Sequence, residues 1–433
     1  MFKRNVCLVV SVFVLCLGMF GCGKKEAERT DGKVQIWFST GGGDLVYNKI
    51  LKELCLKFEA THPNIKIKFE PVSGQGYMQK ILTMIASDTA PDVFSLDATQ
   101  VPIFVNKNAI LPFNSFIEKD KSFDINKYYP VIIDGFTWNN KLYGLTESMT
   151  PYIVYYNKDI FDKAGVAYPK NNWDWNDLLS TAKKLTIKDS RGAISQFGIV
   201  FDGEDIPYFV KAWGGSIWNK DKTKCTIDSP ESREGLQFMV DIITKHKVAP
   251  DLKDRADQGN YQIFEGGRAA MITLAGRWYT PTFRKAKNLK WRICGLPKGK
   301  VRVNQLVSHA WVIPAKSRHP EQAFEFIKYL CGEEGVKFMM QMGDCVPPII
   351  KLAEGEFLAK DSQYPDENNA PYIEEMKYAG SWKEYVHPKI IWSEMGQVIY
   401  SKNIDGVLLG KWDVPTYTKN VQKKLNELLE ENK

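Results

Sequence analysis

The residues with the chemistry to hold a ligand stand at the ends of predicted elements, and their types suit non-covalent capture. Ala269–Leu274 reads as a strand, and Gly276-Arg277-Trp278 follows closely behind it. Trp278 offers a broad flat ring, and Arg277 a rigid fork of donors. The bland alternative for Trp278 is a core indole, because Trp is highly buried on average. Trp213 precedes Gly214-Gly215, where missing side chains would let a ring come close. Asp97 ends the short strand that begins at Val93, and its carboxylate would accept from hydroxyl donors. Thr40 to Asp44, with Gly42 in the middle, falls at a helix start whose backbone N–H groups lack intrahelical partners. No Gly-Lys-Ser/Thr follows, so this is not a nucleotide loop. Flat rings combined with in-plane donors and acceptors match a ligand with apolar C–H faces and many hydroxyls.

Other chemistries find less support. His62, His246, His309, His319 and His387 are isolated, and none has metal-ligand spacing, so no metal or other cofactor is expected. The chain contains no Gly-x-Ser-x-Gly, no His-Glu-x-x-His and no Ser-His-Asp signature. An acid pair about 5–10 Å apart, as a glycoside-cleaving enzyme uses, stays open as an alternative, because 51 acids supply pairs freely.

The elements that must position these residues read as α/β. Val34–Phe38 alternates toward a strand. A helix is expected from Leu45 to about Thr61, with Ile50, Leu51, Leu54, Cys55 and Phe58 on one face and Lys49, Lys52, Glu53 and Lys57 on the other. His62-Pro63-Asn64 stops it. Ile65, Ile67 and Phe69 then alternate with Lys66, Lys68 and Glu70 as a half-buried strand. Met78, Ile81, Leu82 and Ile85 mark a second helix. Strand, helix, strand, helix, strand implies a parallel sheet with right-handed crossovers. A similar cycle restarts at Ile153–Tyr156, with a helix over Trp175–Leu185 capped by Asp174. Later come a strand at Phe197–Phe201, a helix over Arg233–His246, a strand at Val307–Pro314 and a helix over Pro320–Leu330. Two such units suggest two lobes with a cleft between them.

Length and charge agree. A chain of 433 residues predicts two domains. Net charge is +7, but no dense Lys/Arg block occurs, so no nucleic-acid partner is expected. Lys3 and Arg4 precede an almost wholly apolar run, Val6–Phe20, and then Gly21-Cys22. That run is too short to span a bilayer and suits a signal peptide over residues 1–21. A small residue before cysteine resembles a bacterial lipobox, which implies lipid on Cys22 and a polar tether over 22–31. Met19 and Phe20 depart from the usual pattern, which keeps plain secretion open. Cys55, Cys225, Cys294, Cys331 and Cys345 are odd in number and lack any C-x-x-C pair. They read as small buried hydrophobes rather than a disulfide framework.

Four stretches together resemble one family, the extracellular solute-binding proteins of carbohydrate ABC importers. They are Phe58 to Ile67 with Ala90-Pro-Asp-Val-Phe; Tyr155-Tyr-Asn-Lys-Asp-Ile-Phe-Asp-Lys-Ala-Gly; Trp213-Gly-Gly through Arg233-Glu-Gly-Leu-Gln-Phe; and Phe264-Glu-Gly-Gly-Arg-Ala-Ala-Met-Ile through Gly276-Arg-Trp to Ala323-Phe-Glu-Phe-Ile. The resemblance covers most of residues 32 to 345. It implies a two-lobed, hinged, periplasmic-binding-protein-like fold. Residues 32–145 with 309–345 would form one lobe, and 146–308 with 346–433 the other. Chain crossings are expected near Tyr143–Thr150, Leu306–Trp311 and Cys345–Pro348. The resemblance further implies a monomer outside the cytoplasm that captures a carbohydrate and delivers it to an ABC permease. It makes Trp278 the main stacking ring and Tyr208 another aromatic contact. It also places an acid, Glu147, at the first crossing, and puts His309 near the second. Trp392 is a further candidate from the loosely matching C-terminal region. The same fold binding a sugar phosphate is the alternative, through Arg277 and the Gly41-Gly42-Gly43 helix start.

Overall fold

A computed structural model describes residues 32–42, 45–72, 76–202, 205–256 and 258–432. The apolar N-terminal run, Cys22, Gly43 and Asp44 lie outside the described residues.

The alternation in the first strands decides which side of the first sheet is buried. In Val34–Ser39, Ile36 and Phe38 are fully buried. In Ile65–Phe69, Ile67 is buried while Lys66 and Lys68 reach water. These two strands pair in parallel, Ile36 opposite Ile67, and Val93–Asp97 joins in parallel on the other side of Val34–Ser39. Helix Leu45–Thr61 buries Leu51, Leu54, Cys55 and Phe58 of the expected stripe, and Ile50 at its edge is half-buried. Beyond it, the His62 ring stacks on Phe58 at 4.0 Å. Helix Tyr77–Ala86 buries Ile81. Asp97 ends the strand Val93–Asp97, as expected.

A mixed second sheet is built on Ile153–Asn157, which is buried along its whole length. Met271–Ala275 and Trp291–Cys294 flank it antiparallel, and Val200–Phe201 extends the sheet parallel to Met271–Ala275. Only Val200–Phe201 of the expected Phe197–Phe201 run is strand; Phe197 makes a single bridge to Ala269. Helix Trp175–Leu185 begins as expected, with Asp174 and Asp177 completing a capping box. The helix expected from Arg233 starts earlier, at Pro230, because the Ser229 hydroxyl caps it and Pro230 fits the first turn. The C-terminal helix Val414–Glu431 packs against it.

One long strand, Asn304–Val312, runs between the two units. Its last residues pair antiparallel with Val93–Asp97, His309 opposite Asp97. Its middle pairs antiparallel with Met149–Pro151, which leads into the second sheet through Tyr152. Val346 exchanges both backbone hydrogen bonds with Met149, at 2.8 and 3.0 Å. Three chain segments therefore lie side by side between the sheets. Gly144 is needed beside them: a Cβ there would stand 2.7 Å from the Cβ of Ala310.

Candidate ligand-binding cleft

A cleft of about 450 Å³ opens where these three segments meet. The first sheet and its helices contribute Thr40, Gly41, Gly42, Tyr47, Ser95, Asp97 and Met339. The crossings contribute Ser148, Met149, Thr150, Val307, Ser308, His309, Asp344 and Cys345. The second unit contributes Trp278. Five residues singled out in the sequence, Thr40, Gly42, Asp97, His309 and Trp278, thus share one gap. Thr40, Gly42, Asp97 and Trp278 stand at or just beyond strand ends, where ligands bind in α/β sheets, and His309 lies within the crossing strand Asn304–Val312.

The Trp278 ring is held from several sides. The pairing of Met271–Ala275 with Ile153–Asn157 shifts register between Ile272 and Ala275, and Leu274 inside that shift has φ +57°. Such a bulge re-aims the chain, and strain of this kind gathers at functional sites. Gly276 follows because of space: a Cβ there would lie 1.9 Å from the indole. The Thr150 hydroxyl on the crossing strand accepts from the Arg277 N–H at 3.1 Å. Tyr152 meets the indole edge-on at 6.2 Å. The Asn304 side chain fixes the backbone of Tyr152, donating to its carbonyl and accepting from its N–H. The platform is therefore tied directly to the crossings.

Asp97 is exposed to the cleft. Its Oδ1 accepts from the Thr99 N–H at 2.9 Å and the Thr99 hydroxyl at 2.7 Å, and Oδ2 has no partner among the described residues. Thr40 is buried and closes the opposite loop, its hydroxyl bonding both backbone groups of Gly42. Gly41 passes over the face of Tyr77, whose hydroxyl donates to the Ser95 carbonyl.

Glu147 does not line the cleft. It lies beneath the floor, 1% exposed, and bonds the Nε2 of His309 at 3.0 Å and the indole N–H of Trp311. Burial of His309 opposes its charged form, but Glu147 outweighs this, with Asp97 and Asp344 adding to it. The imidazole is held above its ordinary value. The folded protein therefore keeps a proton that the unfolded chain releases, and this contribution to stability is complete below about pH 6.5. It is lost as pH rises through the raised value. His309→Gln should accordingly lower the melting temperature most at about pH 5–6, and the gap to wild type should shrink in alkali. A gap that stays constant with pH would contradict the pairing.

Four sequence candidates lie elsewhere. Tyr208, expected as a ligand contact, is a core residue 1% exposed; its hydroxyl donates to the Pro297 carbonyl and accepts from the Trp175 indole. Helix Asp205–Ala212 turns it inward. Trp213 packs on Phe209 and Phe238, away from the cleft, with Gly235 making room for it. Arg277 turns back into the second unit, donates to Asn369 at 2.7 Å and lies over Phe357 and Tyr372. Trp392 packs edge-on against Trp382. Tyr47 and Asp344 line the cleft and were not singled out. On an amphipathic pattern, a cleft-facing side chain looks like any solvent-facing one. A separate cavity of about 320 Å³, between Phe201, Met239, Ile243 and Tyr400, shares no lining residue with the cleft. Among the described residues, no group of three His, Cys, Asp or Glu side chains could hold a metal. All five described cysteines are free and buried.

Two lobes, three crossings and a cleft at their junction define a hinged receptor for a small solute. The family described as "Bacterial extracellular solute-binding protein" matches residues 42–337, and the chain belongs to that family. Among curated relatives, the arabinooligosaccharide-binding protein of Bacillus subtilis (strain 168) is 26% identical over 357 residues, 77% of this chain and 78% of the relative. Among solved structures, an ABC substrate-binding protein of Listeria monocytogenes in complex with cycloalternan aligns at TM-score 0.80 and 27% identity, covering 92% of this chain and 99% of the other. A maltose-bound binding protein of T. maritima aligns at TM-score 0.73 and 21% identity, covering 91% and 100%. No helix among the described residues is long and apolar enough to cross a membrane.

Proposed function

We propose that this chain captures a carbohydrate outside the cytoplasm, releases it unchanged, and delivers it to the membrane subunits of an ABC importer. The observation that carries this reading is the shared gap: Trp278 on one side, and the carboxylate of Asp97 with the hydroxyls of the floor on the other. A sugar ring presents apolar C–H faces to an indole and hydroxyl donors to a carboxylate. Relatives named for oligosaccharides support the same class of ligand. Lobe boundaries at 145/146, 308/309 and 345/346 would let the lobes close about the crossings. Lipid on Cys22, followed by the polar tether 22–31, would hold a monomeric receptor at the membrane. The intact mass of the membrane-extracted mature chain checks that anchor.

A ligand bound only by the folded state raises the melting temperature; at a hundredfold excess over Kd the gain is about 2.7 kcal/mol. Purified protein should therefore melt several degrees higher with arabino-, galacto- or malto-oligosaccharides, and chromatography should recover the sugar intact. Cleaved sugar would make the cleft catalytic. Shifts with peptides but no sugar would overturn the carbohydrate assignment.

A further inference from the structure

On the saccharide reading above, we propose that the cleft admits neutral or amine-bearing sugars and rejects anionic ones, including uronates, sugar phosphates and sulfated sugars. The chain as a whole carries net charge +7, yet no Lys or Arg is among the described residues lining the cleft. Two carboxylates, Asp97 and Asp344, do line it. A third, Glu147, lies directly under the floor against His309. Even a protonated His309 leaves three negative groups facing one positive group. The guanidinium beside the platform gives no relief, because Arg277 is turned away to Asn369, Phe357 and Tyr372. The start of helix Leu45–Thr61 adds only about half a positive charge.

The neighbouring phenol feels the same field. Tyr47 is pushed well above its ordinary value, by burial first and then by Glu147 and Asp344. Hydroxyl and ammonium groups supply the donors that acceptor-only carboxylates require. A ligand carboxylate or phosphate supplies none at neutral pH, and it meets like charge across the gap. The half of the alternative that rested on Arg277 as a phosphate clamp is thereby removed.

The test compares matched ligands on the wild-type protein by calorimetry. The tightest neutral oligosaccharide from the melting screen is set against the same sugar with its primary hydroxyls oxidised to carboxylates. The methyl ester of that uronate serves as a control of equal size and no charge. The ester should bind within a few-fold of the parent, and the uronate roughly a hundredfold more weakly. Asp97→Asn and Asp344→Asn together, checked for an unchanged melt, should narrow the ester–uronate gap by at least about tenfold. A uronate that binds as tightly as its ester would overturn the proposal. A gap untouched by the two substitutions would overturn its assignment to these carboxylates. Failure of every sugar in the screen would instead overturn the carbohydrate reading itself.

Discussion

Trp278→Ala should weaken saccharide binding by about 2–4 kcal/mol, roughly thirtyfold to several hundredfold, while the melting temperature of the unliganded protein changes little. The indole is only partly buried, so its removal opens no sealed core cavity. What is lost is the one ring that the described residues of the second unit present to the gap. Gly276→Val should reproduce much of the binding defect while leaving Trp278 in the sequence. Its new Cβ would occupy space 1.9 Å from the ring, so the ring must move. Calorimetric titration of both variants checks this. Wild-type affinity in Trp278→Ala would make the residue surface or core rather than platform.

Glu147→Ala should destabilise the folded protein by roughly 3–5 kcal/mol, the usual loss when one partner of a buried charged pair is removed. The substitution leaves His309 Nε2 and the Trp311 indole N–H without their acceptor beneath the floor. Glu147→Gln also removes the charge but keeps an acceptor oxygen for one of these donors, and should recover part of the loss. Denaturant unfolding of the three proteins measures the difference. Equal losses in Ala and Gln would show that the charge, and not the hydrogen-bond set, carries the effect; no loss in either would remove Glu147 from the framework.

The elements were legible in the sequence where local signals decide them. The capped helix Trp175–Leu185 and the stripe Leu51, Leu54, Cys55 and Phe58 each follow from spacing within a few residues. The gap was legible in part, because Asp97 and Trp278 stand beside strand ends that periodicity predicts. What escaped depends on distant partners. Glu147 and His309 are 162 positions apart, and Tyr128 reaches the Cys331 carbonyl across 203. Tyr208 shows the converse error. Its sequence context fitted a ligand contact, but Trp175 and Pro297, brought in from 33 and 89 positions away, enclose its hydroxyl. Asp344 sits just before the third crossing in sequence, and only packing of that crossing against Met149 brings it beside His309.

A crystal structure of the protein with the oligosaccharide that most raises its melting temperature tests the central claim most directly. One sugar ring should lie flat on Trp278 at van der Waals distance, with hydroxyls donating to Asp97 Oδ2 and every glycosidic bond intact. Sugar bound away from the gap between Trp278 and Asp97, or found hydrolysed within it, would contradict the account.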